Sequence, residues 1–257
     1  MKKRIVVKIG SNVLTRKDGK LDVTRMSALV DQIAWLRKQD IEVILVSSGA
    51  MASGRGELKV DHSLDSVEQR QLFSAVGQVK LVGLYYDLFR EFNIHVGQVL
   101  TMKENFQPGE QYRNQQACMK VMLENDVLPI VNENDTVSVT ELMFTDNDEL
   151  SGLIAQMMEA DTLILLSNID GIFTTHPDDP KAELIREVAP GRDLSEYIRP
   201  EKSAFGRGGM HSKYTTASKV SQAGIRVIIA NGERENILID LIERKDETPH
   251  TEFIPCN

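Results

Sequence analysis

Cysteine is nearly absent from this 257-residue chain, and the two present, Cys118 and Cys256, offer neither a disulfide framework nor metal-ligand spacing. Long apolar runs are missing too. The opening MKKRIVVKIGSNVL starts basic, but Lys8 interrupts its apolar stretch before a signal-peptide core or a membrane span of about 18 residues can form. The histidines, His62, His95, His176, His211 and His250, show no metal or triad spacing, and no serine sits in GxSxG. The common nucleotide fingerprints GxxxxGK[ST], GxGxxG after a strand, and HRD with DFG do not occur. Positive charge is not in surplus: the net charge is −8 and the pI about 5.3, so the overall field repels nucleic acid and anionic membrane. These absences leave a reducing cytoplasm as the simplest setting. They also require that any phosphate-bearing ligand be held by local positive groups.

What is present is an alternation. Short β-branched runs, Ile5–Ile9, Val43–Ser47, Val96–Thr101, Leu128–Val131, Thr162–Leu166 and Val227–Ala230, are separated by stretches of helical period. The helices expected are Met26–Lys38, Val67–Phe92, Gln115–Glu124, Glu149–Met158, Lys213–Ala223 and Asn236–Arg244, with TEFIP (251–255) returning as a final edge strand. Near-continuous apolar strands alternating with helices imply a mostly parallel central sheet covered on both faces, a three-layer α/β/α sandwich. No repeat, low-complexity segment or linker divides the chain, so residues 1–257 read as a single domain; 174–208, with HPDDP, APGRD and FGRGG, is the least regular part. In such sheets ligands bind outside the carboxyl ends of the strands.

The residues after each strand therefore carry the functional signal. Lys8, inside IVVKIG, must reach an anion or snorkel to solvent, and Gly10 beside it lets backbone approach a phosphate. Ser48, Gly49 and Ala50, after the second strand, offer donors to a carboxylate or phosphate, or form a tight strand-to-helix turn. Asn132, Glu133, Asn134 and Asp135 follow an apolar strand without helical pattern; Asp135 suits an ammonium group, the alternative being a solvated turn before a hairpin in TVSVTELMF. In TDNDEL, Asp146 is placed as an N-cap with Glu149 completing a capping box, which leaves Asn147 and Asp148 unexplained. A calcium loop counted from Asp146 fails, with Ser151 at its sixth position and Met157 at its twelfth. FGRGGMHSK runs Gly-rich into a helix start near Met210, a phosphate cradle to which Lys213 adds charge.

Together VVKIGSNVL, LVSSGAMASGR, VGQVLT, VLPIVNENDTV, TDNDELS, GRGGMHSK and TEFIP resemble the amino acid kinase family across essentially the whole chain. NENDTV, TDNDELS and GGMHSK are particular to the branch that phosphorylates the γ-carboxylate of L-glutamate in proline synthesis. The resemblance implies that Lys8 and Lys213 straddle the transferring phosphoryl group while Asp148 holds both ammonium groups. It implies that Ser48, Asp135 and Asn147 bind glutamate. Lys8, Ser167, Asn168, Arg207, Gly208, Gly209, Met210, His211, Ser212 and Lys213 would line the nucleotide site. ATP is the implied donor with Mg²⁺, the metal carried by the nucleotide and without direct protein ligands.

Three departures stand out. Ser167–Asn168 replaces the usual Thr-Asp after the fifth strand, removing a carboxylate near the nucleotide. Arg207 stands where the loop usually has Thr. Many relatives in this branch carry a C-terminal PUA domain, an RNA-binding-type module, and no such domain is expected here. The resemblance further implies a homodimer or homotetramer and hand-over of the labile product to glutamyl phosphate reductase, with no nucleic acid or membrane partner. The alternatives are a family kinase acting on acetylglutamate, carbamate, aspartate or UMP, or a non-catalytic sensor on the same fold.

Overall fold

The structure is a computed structural model of the chain and describes residues 2–138, 144–198 and 209–256. Its strands are β1 (Arg4–Ile9), β2 (Glu42–Ser47), β3 (His95–Thr101), β4 (Val127–Glu133), β5 (Thr162–Ser167), β6 (Glu187–Val188), β7 (Arg226–Asn231) and β8 (His250–Phe253). The helices are α1 (Ser11–Leu14), α2 (Val23–Lys38), α3 (Ala50–Glu57), α4 (Ser66–Arg90), α5 (Glu110–Glu124), α6 (Asn147–Met157), α7 (Met210–Gln222) and α8 (Ile237–Glu243).

The strands form one sheet in the order β3-β4-β2-β1-β5-β7-β8-β6, in which β7 and β8 are the antiparallel pair. Each strand predicted from β-branched runs is found. TEFIP differs from its expected place: β8 is interior, because β6, only two residues long, pairs outside it. A two-residue strand has no periodicity to detect. Likewise α3 extends the polar turn after β2 into two turns of helix, and α5 begins at Glu110 rather than Gln115. The hairpin reading of TVSVTELMF falls largely on 139–143, outside the described residues.

Period-2 alternation in the strands divides the core into two layers. Ile5, Val7 and Ile9 of β1 join a cluster with α2, α4 and α8, whereas Val6 joins the opposite cluster with α5, α6 and α7. Lys8 shares the pleat of Val6, so it emerges on the side of α6 and α7. β1 pairs with β2 on one side and β5 on the other. The chain runs outward from β1 to β3 and then re-enters at β5, which makes the carboxyl end of β1 the topological switch point.

Among the described residues no helix is long and apolar enough to cross a membrane.

The wall beside this point is set by α3 and α4, which touch backbone to backbone. A Cβ added at Gly77 would lie 1.7 Å from the Ala50 carbonyl oxygen, and one at Gly54 1.9 Å from that of Phe73. Overpacking of a tight core contact costs about 1–3 kcal/mol. Gly77→Ala is therefore expected to lower the midpoint of thermal unfolding by several degrees, and a melting temperature equal to wild type would contradict this contact.

Candidate active site

The carboxyl ends of the central strands open into a cleft of about 1290 Å³. Lys8 and Lys213 line it, and both ammonium groups pair with the fully buried Asp148: Lys8 Nζ lies 2.5 Å from Oδ1, and Lys213 Nζ donates to Oδ2 at 3.0 Å. Lys8 comes from β1, Asp148 from the first turn of α6 and Lys213 from the first turn of α7. Gly10 leaves room for this arrangement, since a Cβ there would sit 3.3 Å from the Lys8 ammonium.

Local sequence explains how α6 presents Asp148. Asp146 caps the helix, its Oδ1 accepting from the backbone N–H groups of Asp148 at 2.8 Å and Glu149 at 3.1 Å. Glu149 does not complete the expected capping box with Asp146. Its Oε2 accepts from the Thr145 N–H at 2.7 Å, one residue earlier, while Oε1 pairs with Lys103 at 3.5 Å. The cap still fixes the first turn, and thereby aims Asn147 and Asp148 at the strand ends.

Burial and charge pairing oppose each other in this cluster. Burial alone would raise the Asp148 carboxyl, but the charges of Lys8 and Lys213 and their hydrogen bonds hold it below its ordinary range. Burial pulls the Lys8 ammonium below its usual value, opposed by the Asp148 charge. Asp146 is pushed up, first by burial and then by the charge of Asp148. Two ammonium groups thus converge on the Asp148 carboxylate, with the Asp146 carboxyl as a further acid within their electrostatic reach.

At one end of the cleft, Asn147 Nδ2 donates to Ser48 Oγ at 2.9 Å and to Asn132 Oδ1 at 3.0 Å. Asn132 Nδ2 in turn donates to Gln78 Oε1 at 2.9 Å. Ser47 meets the buried Tyr85 hydroxyl at 2.8 Å, which ties the end of β2 to α4. Asp135, expected to be available to a ligand ammonium, already contacts Arg70 at 2.7 Å through Nε. Glu133 is a brace rather than a ligand group: buried, it accepts from Ser138 Oγ at 2.8 Å and the Phe144 N–H at 3.1 Å, and pairs with Arg70 at 3.1 Å.

At the other end, Ser167, Asn168, Ile172, Phe173, Gly209 and Met210 line the cleft. Gly209 precedes α7, so the amino end of a 13-residue helix faces this region. His211 is exposed and does not line the cleft, and Ser212 hydrogen-bonds to Asp146. Arg207 and Gly208 lie outside the described residues. The structure thus brings together Lys8, Ser48, Asp135, Asn147, Asp148, Ser167, Asn168, Gly209, Met210 and Lys213. Sequence reasoning missed Arg70 and Gln78 as members of this constellation. The signal for Arg70 existed, because Ser66, Arg70, Ser74 and Gln78 repeat at four-residue spacing along one side of the helix.

The sequence profile of the amino acid kinase family matches residues 3–231. The chain belongs to the amino acid kinase family. Among its relatives in that family is the glutamate 5-kinase of Bacteroides thetaiotaomicron, 66% identical over 98% of this chain and 70% of that protein. The glutamate 5-kinase of Chlorobaculum tepidum is 48% identical over 92% of this chain and 65% of that protein. Solved structures with the same fold include carbamate kinase from Giardia lamblia (TM-score 0.70, 16% identity, 99% of both chains). UMP kinase from Ureaplasma parvum is another (TM-score 0.66, 15% identity, 99% of both chains).

Asp148 sets a pH dependence for this family member. Its folded pKa is depressed, so its stabilising contribution is complete above the unfolded value near 3.9 and is lost as pH falls through the folded one. Removing one partner of a buried ion cluster typically costs about 3–5 kcal/mol. Asp148→Asn is expected to unfold at lower urea concentration at pH 7, with the gap to wild type shrinking below about pH 4. A gap that widens on acidification would refute the assignment of the depressed pKa.

Proposed function

We propose that this chain transfers the γ-phosphoryl group of ATP to the γ-carboxylate of L-glutamate, giving L-glutamyl 5-phosphate and ADP, the first step of proline synthesis. The observation that carries the proposal is the Lys8–Asp148–Lys213 cluster, standing between an acceptor end rich in amide and hydroxyl donors and a second end fed by the amino terminus of α7. High identity to two proteins named glutamate 5-kinase supports the choice of acceptor over the other family substrates.

The chemistry suits such a cluster. A carboxylate oxygen is already an ionised nucleophile, so its attack on the γ-phosphorus, with departure of ADP, needs no general base. It needs alignment and neutralisation of the charge that spreads over the transferring oxygens. In this proposal Lys8 and Lys213 supply the charge, Asp148 fixes the spacing between them, and Ser48, Asn147 and Asp135 hold the acceptor. Ser167, Asn168, the 207–213 segment and Lys8 hold the nucleotide. Among the described residues no group of three or more His, Cys, Asp or Glu side chains could hold a metal ion. Mg²⁺ would come with ATP and would screen the phosphate charge. The setting is the cytoplasm, and the same proposal includes a homo-oligomer and hand-over of the labile product to glutamyl phosphate reductase.

The direct test incubates protein, MgATP and hydroxylamine with L-glutamate, N-acetylglutamate, aspartate or carbamate, and reads the coloured hydroxamate or ADP release. Hydroxamate from glutamate alone is expected; no ADP with any acid would favour the sensor alternative. Lys213→Ala is expected to fold and to lose about 10²-fold or more of kcat, and near-normal turnover would remove its role. Asp135→Ala is expected to raise the KM for glutamate more than that for ATP; equal changes would count against an acceptor role.

A further inference from the structure

The stripe Arg70–Ser74 on α4 is not used by any step above, yet both residues line the cleft. Arg70 contacts Asp135 through Nε at 2.7 Å and Nη2 at 2.6 Å, and its Nη2 lies 3.1 Å from Glu133 Oε2. Ser74, one helical turn further, is 3% exposed, and its hydroxyl has no hydrogen-bond partner among the described residues. A buried hydroxyl left unmade is costly, and this one lines the cleft, where a ligand can reach it.

We infer that Arg70 and Ser74 form the subsite for the α-carboxylate of the amino-acid acceptor, with Asp135 taking its ammonium group. The inference rests on the glutamate reading and deepens it. An α-amino acid presents an ammonium and a carboxylate on one carbon. Asp135 and Arg70 present the opposite charges in direct contact, a template for that zwitterion. Charge balance points the same way. Among the described residues Arg70 is shared by the carboxylates of Glu133 and Asp135, and an incoming ammonium would bring a second positive charge to that pair. A free α-carboxylate anchored beside them through its own ammonium then needs a positive group within reach, and Arg70, which lines the cleft, touches Asp135. An acceptor whose α-carboxylate is an uncharged amide forfeits this pairing. The subsite therefore selects for the intact α-amino acid head, while the Lys8–Asp148–Lys213 cluster acts on the distal carboxylate.

The experiment compares wild type, Arg70→Gln and Ser74→Ala on L-glutamate and L-isoglutamine, its α-carboxamide, which keeps the reacting γ-carboxylate. Hydroxamate formation gives kcat/KM for each, alongside the KM for ATP and the melting temperature. Wild type is expected to prefer glutamate by about 10-fold or more, the scale of a hydrogen bond to a charged group. Arg70→Gln should reduce that preference to within about threefold, because a neutral amide serves both heads, with the KM for ATP unchanged. Ser74→Ala should raise the glutamate KM by about three- to tenfold with no change in melting temperature, since no bond within the protein is lost.

If Arg70→Gln slows both substrates equally and keeps the wild-type ratio, Arg70 only braces the acidic pair and the inference is overturned. If Arg70→Gln does not fold, Ser74→Ala decides, and an unchanged glutamate KM overturns it. Wild type that makes no hydroxamate from glutamate overturns the functional reading itself, and is seen before any variant is compared.

Discussion

One buried carboxylate shared by two ammonium groups organises this molecule. Moving each of these ions out of water carries an effective penalty of several kcal/mol, and their attraction offsets it only when the geometry is close. Asp148 meets that condition, at 2.5 Å from Lys8 and 3.0 Å from Lys213. An apolar trio of similar volume would pack at least as well. The cluster is therefore better explained by what its lysines can hold, an anion in the cleft they line, than by what it contributes to folding.

The fold supplies the spacing. β1 lies in the middle of the sheet, clamped in parallel register by β2 and β5, so the Lys8 backbone has almost no freedom. The two partners come from the first turns of α6 and α7, where side chains sit at the strand ends rather than over the sheet. At the Asn147 end of the cleft rigidity comes from amides: Gln78, Asn132, Asn147 and Ser48 form a continuous hydrogen-bonded chain from α4 across β4 and α6 to the loop before α3. Such a chain holds orientation with neutral groups and leaves the local charge to Asp135, Glu133 and Arg70.

Much of this was legible in the sequence, for identifiable reasons. β-branched runs marked the long strands, the central ones because parallel strands buried on both faces read as continuous apolar stretches. Lys8 stood out because it broke such a run, and Asp148 because helix capping accounted for its neighbours but not for it. The capping box misread Glu149 by one residue, since the same side chain can bond either of two adjacent N–H groups. The β6–β8 edge was invisible because two residues carry no period. Arg70 escaped notice because a lone arginine on a long helix is ordinarily solvated. Only the tertiary approach of α4 to the end of β4 turns it toward Asp135.

The Lys8–Asp148–Lys213 cluster has one more property, set by where its members lie along the chain. Asp148 and Lys213 are 65 residues apart, and Lys8 enters from the first strand. Contacts of such long sequence separation form late, after loop closure has been overcome by the packing of the sheet. A partly folded chain would carry unpaired lysines and an unpaired aspartate, each still hydrated, and none would have reason to approach the others. The cluster is thus a reporter of completed assembly: its charges converge only once the first strand, α6 and α7 have all docked.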